Sequence, residues 1–197
     1  MSFDFSQNIV LENNRVRLRP LDTSDFEALK PAAFDPNIWQ FTLTRADDAV
    51  SLAHYLATAV HDREAERRYA FAIIDRATGQ LAGSTSYYNL VSHDQRLSIG
   101  YTWLGPDFQR TGLNRAAKHL LLSYAFEHLG YERVELETDS RNQQSQQAMR
   151  RMGATEEGTL RQHRLTQGGI RRDTVIFSII RPEWDGLRQT VFREYNG

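Results

Sequence analysis

Apolar and polar positions along this 197-residue chain change period several times, and each change predicts an element. Val16, Leu18 and Leu21 alternate with Arg17, Arg19 and Pro20, which predicts a first strand. Ser24–Asp25–Phe26–Glu27 is a capping-box pattern that opens a short helix, stopped by Pro31 or Pro36. From Asp47 to Arg67 the spacing turns helical, with Val50, Ala53, Leu56, Ala57 and Val60 on one face. The charged end of that helix (HDREAERR) reads as solvated surface.

Three strand patterns follow in quick succession. Tyr69–Asp75 turns through Ala77–Thr78–Gly79 into QLAGSTSYYNL, and a polar HDQR turn leads to LSIGYTWL. Connections this short predict an antiparallel meander, because a parallel crossover needs far more chain. Beyond Gly112, Leu113, Ala116, Ala117, Leu120, Leu121, Tyr124 and Leu129 share one helix face, and Gly130 ends it. Arg133–Thr138 then pairs in parallel with LSIGYTWL across that helix, as a right-handed crossover. A short helix from Asn142 to Met152 stops at Gly153. A hairpin closes the pattern: TLRQHRL, a Gln167–Gly168–Gly169 turn, and RRDTVIFSII, stopped by Pro182. The fold class is a mixed α/β sheet without internal repeats or linkers. The expected organisation is an N-terminal extension over 1–14, one domain over 15–184 and a C-terminal tail over 185–197. In the C-terminal region Trp184, Leu187, Val191 and Phe192 either offer a homodimer face or pack back on the sheet.

Composition narrows the partners. Apolar residues make up 40% and charged residues 25%, the balance of a soluble globular domain. A net charge of −1 predicts no global attraction to nucleic acid or to an anionic membrane. Cysteine is absent, which excludes disulfides, thiolate metal sites and a cysteine nucleophile together. No apolar run reaches bilayer length and no signal-peptide pattern opens the chain, so a cytoplasmic location is expected. Among the 24 basic residues only Lys30 and Lys118 are lysines. The arginines are scattered along the chain and read as compositional bias rather than as an anion-binding surface.

The chemistry concentrates between Arg96 and Leu129, where a strand, a polar loop (GPDFQRTGLN) and an amphipathic helix follow one another. Such a junction aims free backbone N–H groups and the positive end of the helix dipole at one spot, which suits a pyrophosphate. The loop lacks G-x-x-x-x-G-K-[ST] and G-x-G-x-x-G, so it is neither a nucleotide-hydrolysing P-loop nor a dinucleotide fingerprint. No G-x-S-x-G elbow occurs, and the six histidines are scattered without metal-ligand spacing, so no metal is expected.

Gln109-x-x-Gly112-x-Asn114 resembles the cofactor loop Q/R-x-x-G-x-G/A of the GCN5-related N-acetyltransferases (GNAT), with Asn114 in place of a small residue. Four further segments resemble the RimJ/RimL-like branch of that family. They are Val16–Leu21, the Asn142–Gln143–Gln144–Ser145 stretch leading to Gly153–Ala154, Glu157–Arg161, and Arg172–Ser178. The resemblance spans about Arg15 to Trp184, and it rests on the order and spacing of motifs that are individually weak.

The resemblance implies a mostly antiparallel twisted sheet with a splayed central parallel pair and flanking helices. It implies acetyl-coenzyme A as co-substrate, and an amine acceptor that attacks it directly in a ternary complex. The pyrophosphate would meet Gln109, Arg110, Thr111, Gly112, Leu113 and Asn114. The pantetheine would pair with the backbone of Thr102, Trp103 and Leu104. Lys118, one turn beyond Asn114, either helps with the phosphates or is an exposed helix lysine. Asn142 either orders its loop and the pantetheine or caps the following helix.

Relatives often protonate the leaving thiolate with a tyrosine; here that position is Met149, and Ser145 is the candidate acid or simply a first-turn serine. The position where relatives often carry a glutamate base is Ser98. Glu135, Glu137, His93 and Asp94 are alternatives, and the base stays unassigned. Phe34, Trp39, Phe41, Tyr55, Tyr87 and Tyr88 either line an acceptor groove or belong to the core. The acceptor is a peptide N-terminus or a small-molecule amine. The competing reading is a non-catalytic acyl-coenzyme A sensor.

Overall fold

The computed structural model describes residues 3–166 and 168–195. Eight strands form one sheet in the order β1-β2-β3-β4-β5-β6-β8-β7. β1 (Leu11–Glu12), β2 (Val16–Pro20), β3 (Arg68–Asp75), β4 (Leu81–Val91) and β5 (Arg96–Leu104) pair antiparallel in sequence order. β6 (Arg133–Asp139) is parallel to β5, the sheet's one parallel pair among the described residues. β8 (Arg171–Ile180) lies between β6 and β7 (Thr155–Leu165), antiparallel to both. The hairpin inserts this way round because Val175, Phe177 and Ile179 demand cover, whereas β7 is exposed along most of its length and suits a sheet edge.

Helices cover both faces. α1 (Phe26–Ala33) and α2 (Ala49–Glu64) close one core around Leu29, Leu52, Tyr55, Trp39 and Trp103. α3 (Leu113–Ser123), α4 (Gln143–Arg151) and α5 (Arg181–Thr190) close the larger one. Among the described residues no helix is long and apolar enough to cross a membrane.

The departures from the sequence pattern have local causes. The first cap is Asp22, whose carboxylate accepts from Ser24 N–H while Asp25 accepts from Asp22 N–H, two residues earlier than the pattern at Ser24 suggests. Pro31 lies inside α1 rather than ending it, and the helix stops at Ala33, before Pro36. α2 buries Leu52, Tyr55, Leu56 and Ala59, whereas Val50 is 82% exposed. Two apolar stripes compete on that alanine-rich helix, and the one carrying Leu52 and Tyr55 buries more surface.

α5 was hidden by Pro182, which occupies the first turn of the helix instead of ending structure before it. Trp184 and Phe192 pack against Phe126 and His119 of the main core. Of the four C-terminal apolar residues, Trp184 and Phe192 thus pack back on the core, and Leu187 and Val191 lie half-buried against it. Phe3 and Ile9, within the expected N-terminal extension, are buried in the same core. The turn expected at Gln167–Gly168–Gly169 is met by Gly169 N–H bonding Thr166 O; Gln167 itself lies outside the described residues.

Candidate active site

β5 and β6 pair through Arg96–Arg133, Leu97–Val134 and Ser98–Glu135, and the ladder ends there. Both strands run on, β5 held by β4 and β6 by β8. A wedge opens between them, with backbone on β5 left without a strand partner on that side. β5 also bulges against β4 between Ser86–Gly100 and Ser84–Trp103, with Tyr101 at φ 50°. The bulge inverts the alternation, so Thr102 faces α3 while Trp103 enters the α1–α2 core.

The loop after β5 closes one end of the wedge. Gly112 is the N-cap of α3 in a left-handed conformation, φ 88°, which a side chain would strain. Gln109 donates from Nε2 to Leu104 O at 3.0 Å and Thr111 from Oγ1 to Phe108 O at 2.8 Å, fixing the approach to the helix. Tyr195 donates to Gly112 O, and Arg115 pairs with Glu194, so the C-terminal turn clasps the same loop. The first-turn amides of α3, including those of Leu113 and Asn114, have no carbonyl one turn earlier within the helix. Asn114 adds a buried Oδ1 with no donor among the described residues, on the first turn of α3. These features fit a pyrophosphate with a hydrogen-bonding arm.

Lys118 departs from both sequence expectations. It is 4% exposed, and its Nζ donates to Thr102 Oγ1 at 2.7 Å and to Thr85 Oγ1 at 3.3 Å. It therefore binds α3 to the bulge rather than reaching the loop or the solvent. Burial without a carboxylate partner pushes its ammonium down to about 7. Sequence could not show this, because the inward turn of Lys118 depends on the bulge that brings Thr102 under the helix.

Opposite α3, the wedge carries Tyr88, Ser98, Tyr101 and Glu137. Gly100 makes the arrangement possible: a Cβ there would lie 2.7 Å from Tyr88 Cε1, so the ring crosses β5 over a bare backbone. Tyr88 meets Tyr101 edge-on at 5.3 Å. Burial holds the Tyr88 phenol protonated well above its usual range, and the neighbouring Glu137 adds to this. Glu137 stands two residues past the last β5–β6 pair, with Arg172 Nη2 at 3.4 Å and Arg164 Nη2 at 3.5 Å. Glu135 is tied to Arg133 at 3.0 Å within the paired segment. His93 and Asp94 sit in the exposed β4–β5 turn, at the opposite end of β5 from the loop, which removes them as bases.

Asn142 is the N-cap of α4, with Oδ1 accepting from Ser145 N–H at 3.0 Å. Ser145 is half-buried, and its Oγ has no partner among the described residues. Met149 belongs to the core. Of the aromatic candidates, Trp39, Tyr55 and Tyr87 are core, Phe34 is exposed, and Tyr88 faces the wedge. Phe41 lies beside it, its carbonyl accepting from Arg172 and its ring under the Arg141 guanidinium. Among the described residues no group of three His, Asp or Glu side chains could hold a metal ion.

The model of the acetyltransferase (GNAT) domain matches residues 15–155. The uncharacterized N-acetyltransferase YoaA of Bacillus subtilis is 27% identical over 177 residues, covering 88% of this chain and 97% of that protein. The spermidine N(1)-acetyltransferase of Escherichia coli K12 is 24% identical, covering 86% of this chain and 88% of its own. A crystal structure of a GCN5-related N-acetyltransferase from Brucella melitensis superposes with a TM-score of 0.87 at 28% identity, covering 96% of this chain and 86% of that one.

Proposed function

The chain belongs to the GNAT acetyltransferases, and from that premise we propose that the β5–β6 wedge holds acetyl-coenzyme A while a primary amine attacks it directly. N-acetyl transfer is the family's chemistry; the acceptor, a peptide N-terminus or a small-molecule amine, is the finer part of this reading. One observation supports it above the others: the β5–β6 ladder stops at Ser98–Glu135 while both strands continue, leaving strand backbone free beside the loop at Gly112.

Bound acetyl-coenzyme A supplies an activated thioester. This chain's residues supply position and protons. An alkyl amine is mostly protonated at pH 7, so it must lose a proton before it attacks. Glu137 is the carboxylate that stands at the opening of the wedge, and we assign it that proton, taken directly or through water. Ser145, with an unengaged hydroxyl on the first turn of α4, donates toward the departing sulfur. The first-turn amides of α3 hold the pyrophosphate, that of Leu113 by giving up its long 3.4 Å bond to Thr111 Oγ1, and Asn114 Oδ1 accepts from the arm.

The test is calorimetric titration of coenzyme A together with thiol release from acetyl-coenzyme A, using a panel of amines and N-terminal peptides. Saturable binding with acceptor-dependent thiol release is the expected result. Tight binding with no turnover on any acceptor would favour the non-catalytic sensor, which Ser98 and Met149 in place of glutamate and tyrosine would then explain.

A further inference from the structure

The arginines that look scattered in the sequence converge beside the far end of β6. Arg141, Arg171 and Arg172 line a groove of about 440 Å³ with Ser140, Gln162 and Asp173. Arg141 also lines an adjoining hollow of about 240 Å³, to which Arg45 contributes. Across both linings four arginines meet one acid, Asp173, in a chain whose net charge is −1. Asp173 is itself occupied, accepting from Gln162 N–H at 2.6 Å.

These arginines are not equally neutralised. Arg141 is bound in bidentate fashion by Asp139, and Arg45 by Asp47. Burial works against the Asp139 carboxylate, and the hydrogen bonds from Arg141 still hold it below its usual range. Arg171 makes one bond, to Gln162 O at 3.3 Å, and pairs with no carboxylate among the described residues.

Arg172 is the more telling. It is only 5% exposed, yet its two side-chain bonds, to Phe41 O and to Glu137, are both 3.4 Å, and its buried Nε has no acceptor among the described residues. A buried guanidinium has five donors and a high desolvation cost, and Arg172 shares Glu137 with Arg164. Such a cation, opening on a groove and short of acceptors, is matched by a planar or tetrahedral oxyanion.

We propose that the amine acceptor carries an anionic group, a carboxylate or a phosphate, and that Arg171 and Arg172 bind it in this groove. The inference rests on reading the wedge as the catalytic site, to which Arg172 is joined through its contact with Glu137. The amine lies at Glu137 and the anion beyond it, so purely cationic amines are disfavoured.

The test begins with inorganic phosphate titrated calorimetrically into the full chain saturated with coenzyme A, so that the loop at α3 is already filled. Saturable binding is expected, weakened about tenfold, one decade of affinity, by Arg171→Gln and by Arg172→Gln, and unaffected by Arg151→Gln on α4. Arg172→Gln can fail to fold because the side chain is buried; Arg171→Gln, on an exposed side chain, then decides. No binding, or binding that Arg171→Gln leaves unchanged, overturns the proposal.

A second arm compares O-phosphoethanolamine, β-alanine, ethanolamine and spermidine as acceptors. At least tenfold higher kcat/KM for either of the first two is expected, and the leader tells phosphate from carboxylate. Preference for ethanolamine or spermidine overturns the proposal and leaves the wedge reading intact. If coenzyme A fails to bind, the wedge reading falls instead. The phosphate titration without coenzyme A, or with no acceptor turned over, still decides the groove.

Discussion

Lys118 Nζ lies 2.7 Å from Thr102 Oγ1, beneath the bulge that separates β5 from β4. Thr85 and Thr102 are themselves 2.8 Å apart, so the buried Lys118 and Thr85 and the half-buried Thr102 satisfy one another across α3, β4 and β5. The ammonium form is costly there, and burial pushes Lys118 down to about 7 from 10.5. Between these values the unfolded chain binds a proton that the folded chain does not. Stability therefore rises as pH increases from about 7 toward 10, by up to about 1.4 kcal/mol per unit. Above pH 10 the buried phenols of Tyr87 and Tyr88, held protonated by burial, reverse the slope. Urea unfolding from pH 6 to 9.5 should show the rise, and Lys118→Met should flatten it while leaving Thr85 and Thr102 paired. A rise of the same size in Lys118→Met would mean that another group carries it.

Gly112→Asp should weaken coenzyme A binding by at least about tenfold, because a carboxylate at the head of α3 repels the pyrophosphate that the free amides attract. Gly112 has φ 88°, a conformation that asparagine and aspartate both tolerate better than other side chains, and a Cβ there would meet only Tyr195 Oη, at 3.8 Å. Gly112→Asn therefore serves as the neutral control with similar strain. Calorimetry should find Asn binding close to wild type and Asp well below it. Equal affinities in the two variants would remove the phosphate from this loop.

The residues that made the site legible in sequence are those whose chemistry is local. Gly112 between a strand and an amphipathic helix, Asn142 ahead of a helix, and the strand LSIGYTWL each carry their own signal. Each appears where it was expected. What the pattern could not supply depends on contacts distant in sequence. Lys118 turns inward only because the bulge rotates Thr102 toward it. Arg172 and Arg141 meet only because β8 inserts beside β6, a choice made by burial of Phe177 and Ile179. Val50 departs from its predicted face because two apolar stripes fit one helix, and packing against β3 selects between them. His93 and Asp94 looked equivalent to Glu137 until the strand directions put them at opposite ends of the wedge.

Ser145→Ala should reduce turnover by about 100-fold, the range of a proton donor, while leaving coenzyme A affinity within a factor of about two. The backbone N–H of residue 145 still bonds Asn142 Oδ1 in the variant, so the cap of α4 survives. Steady-state rates with acetyl-coenzyme A and parallel calorimetry separate the two effects. If affinity and turnover fall together, Ser145 positions the coenzyme instead of donating to sulfur.

Glu137→Gln tests the least constrained assignment. Glutamine keeps the shape and the contacts to Arg164 and Arg172 but cannot take a proton from an incoming amine. Turnover should fall by about 100-fold at pH 7 with coenzyme A affinity unchanged. The loss should shrink at high pH, where more of the acceptor amine arrives already neutral. A structural role predicts something different: a drop of the same size at every pH. The thermal midpoint falls in either case, because the buried Arg172 faces an uncharged partner. Rate–pH profiles of the two proteins on one acceptor distinguish the cases. A parallel displacement of the whole profile, the pH-independent drop, would leave Glu137 a positioning residue and take the proton away from it.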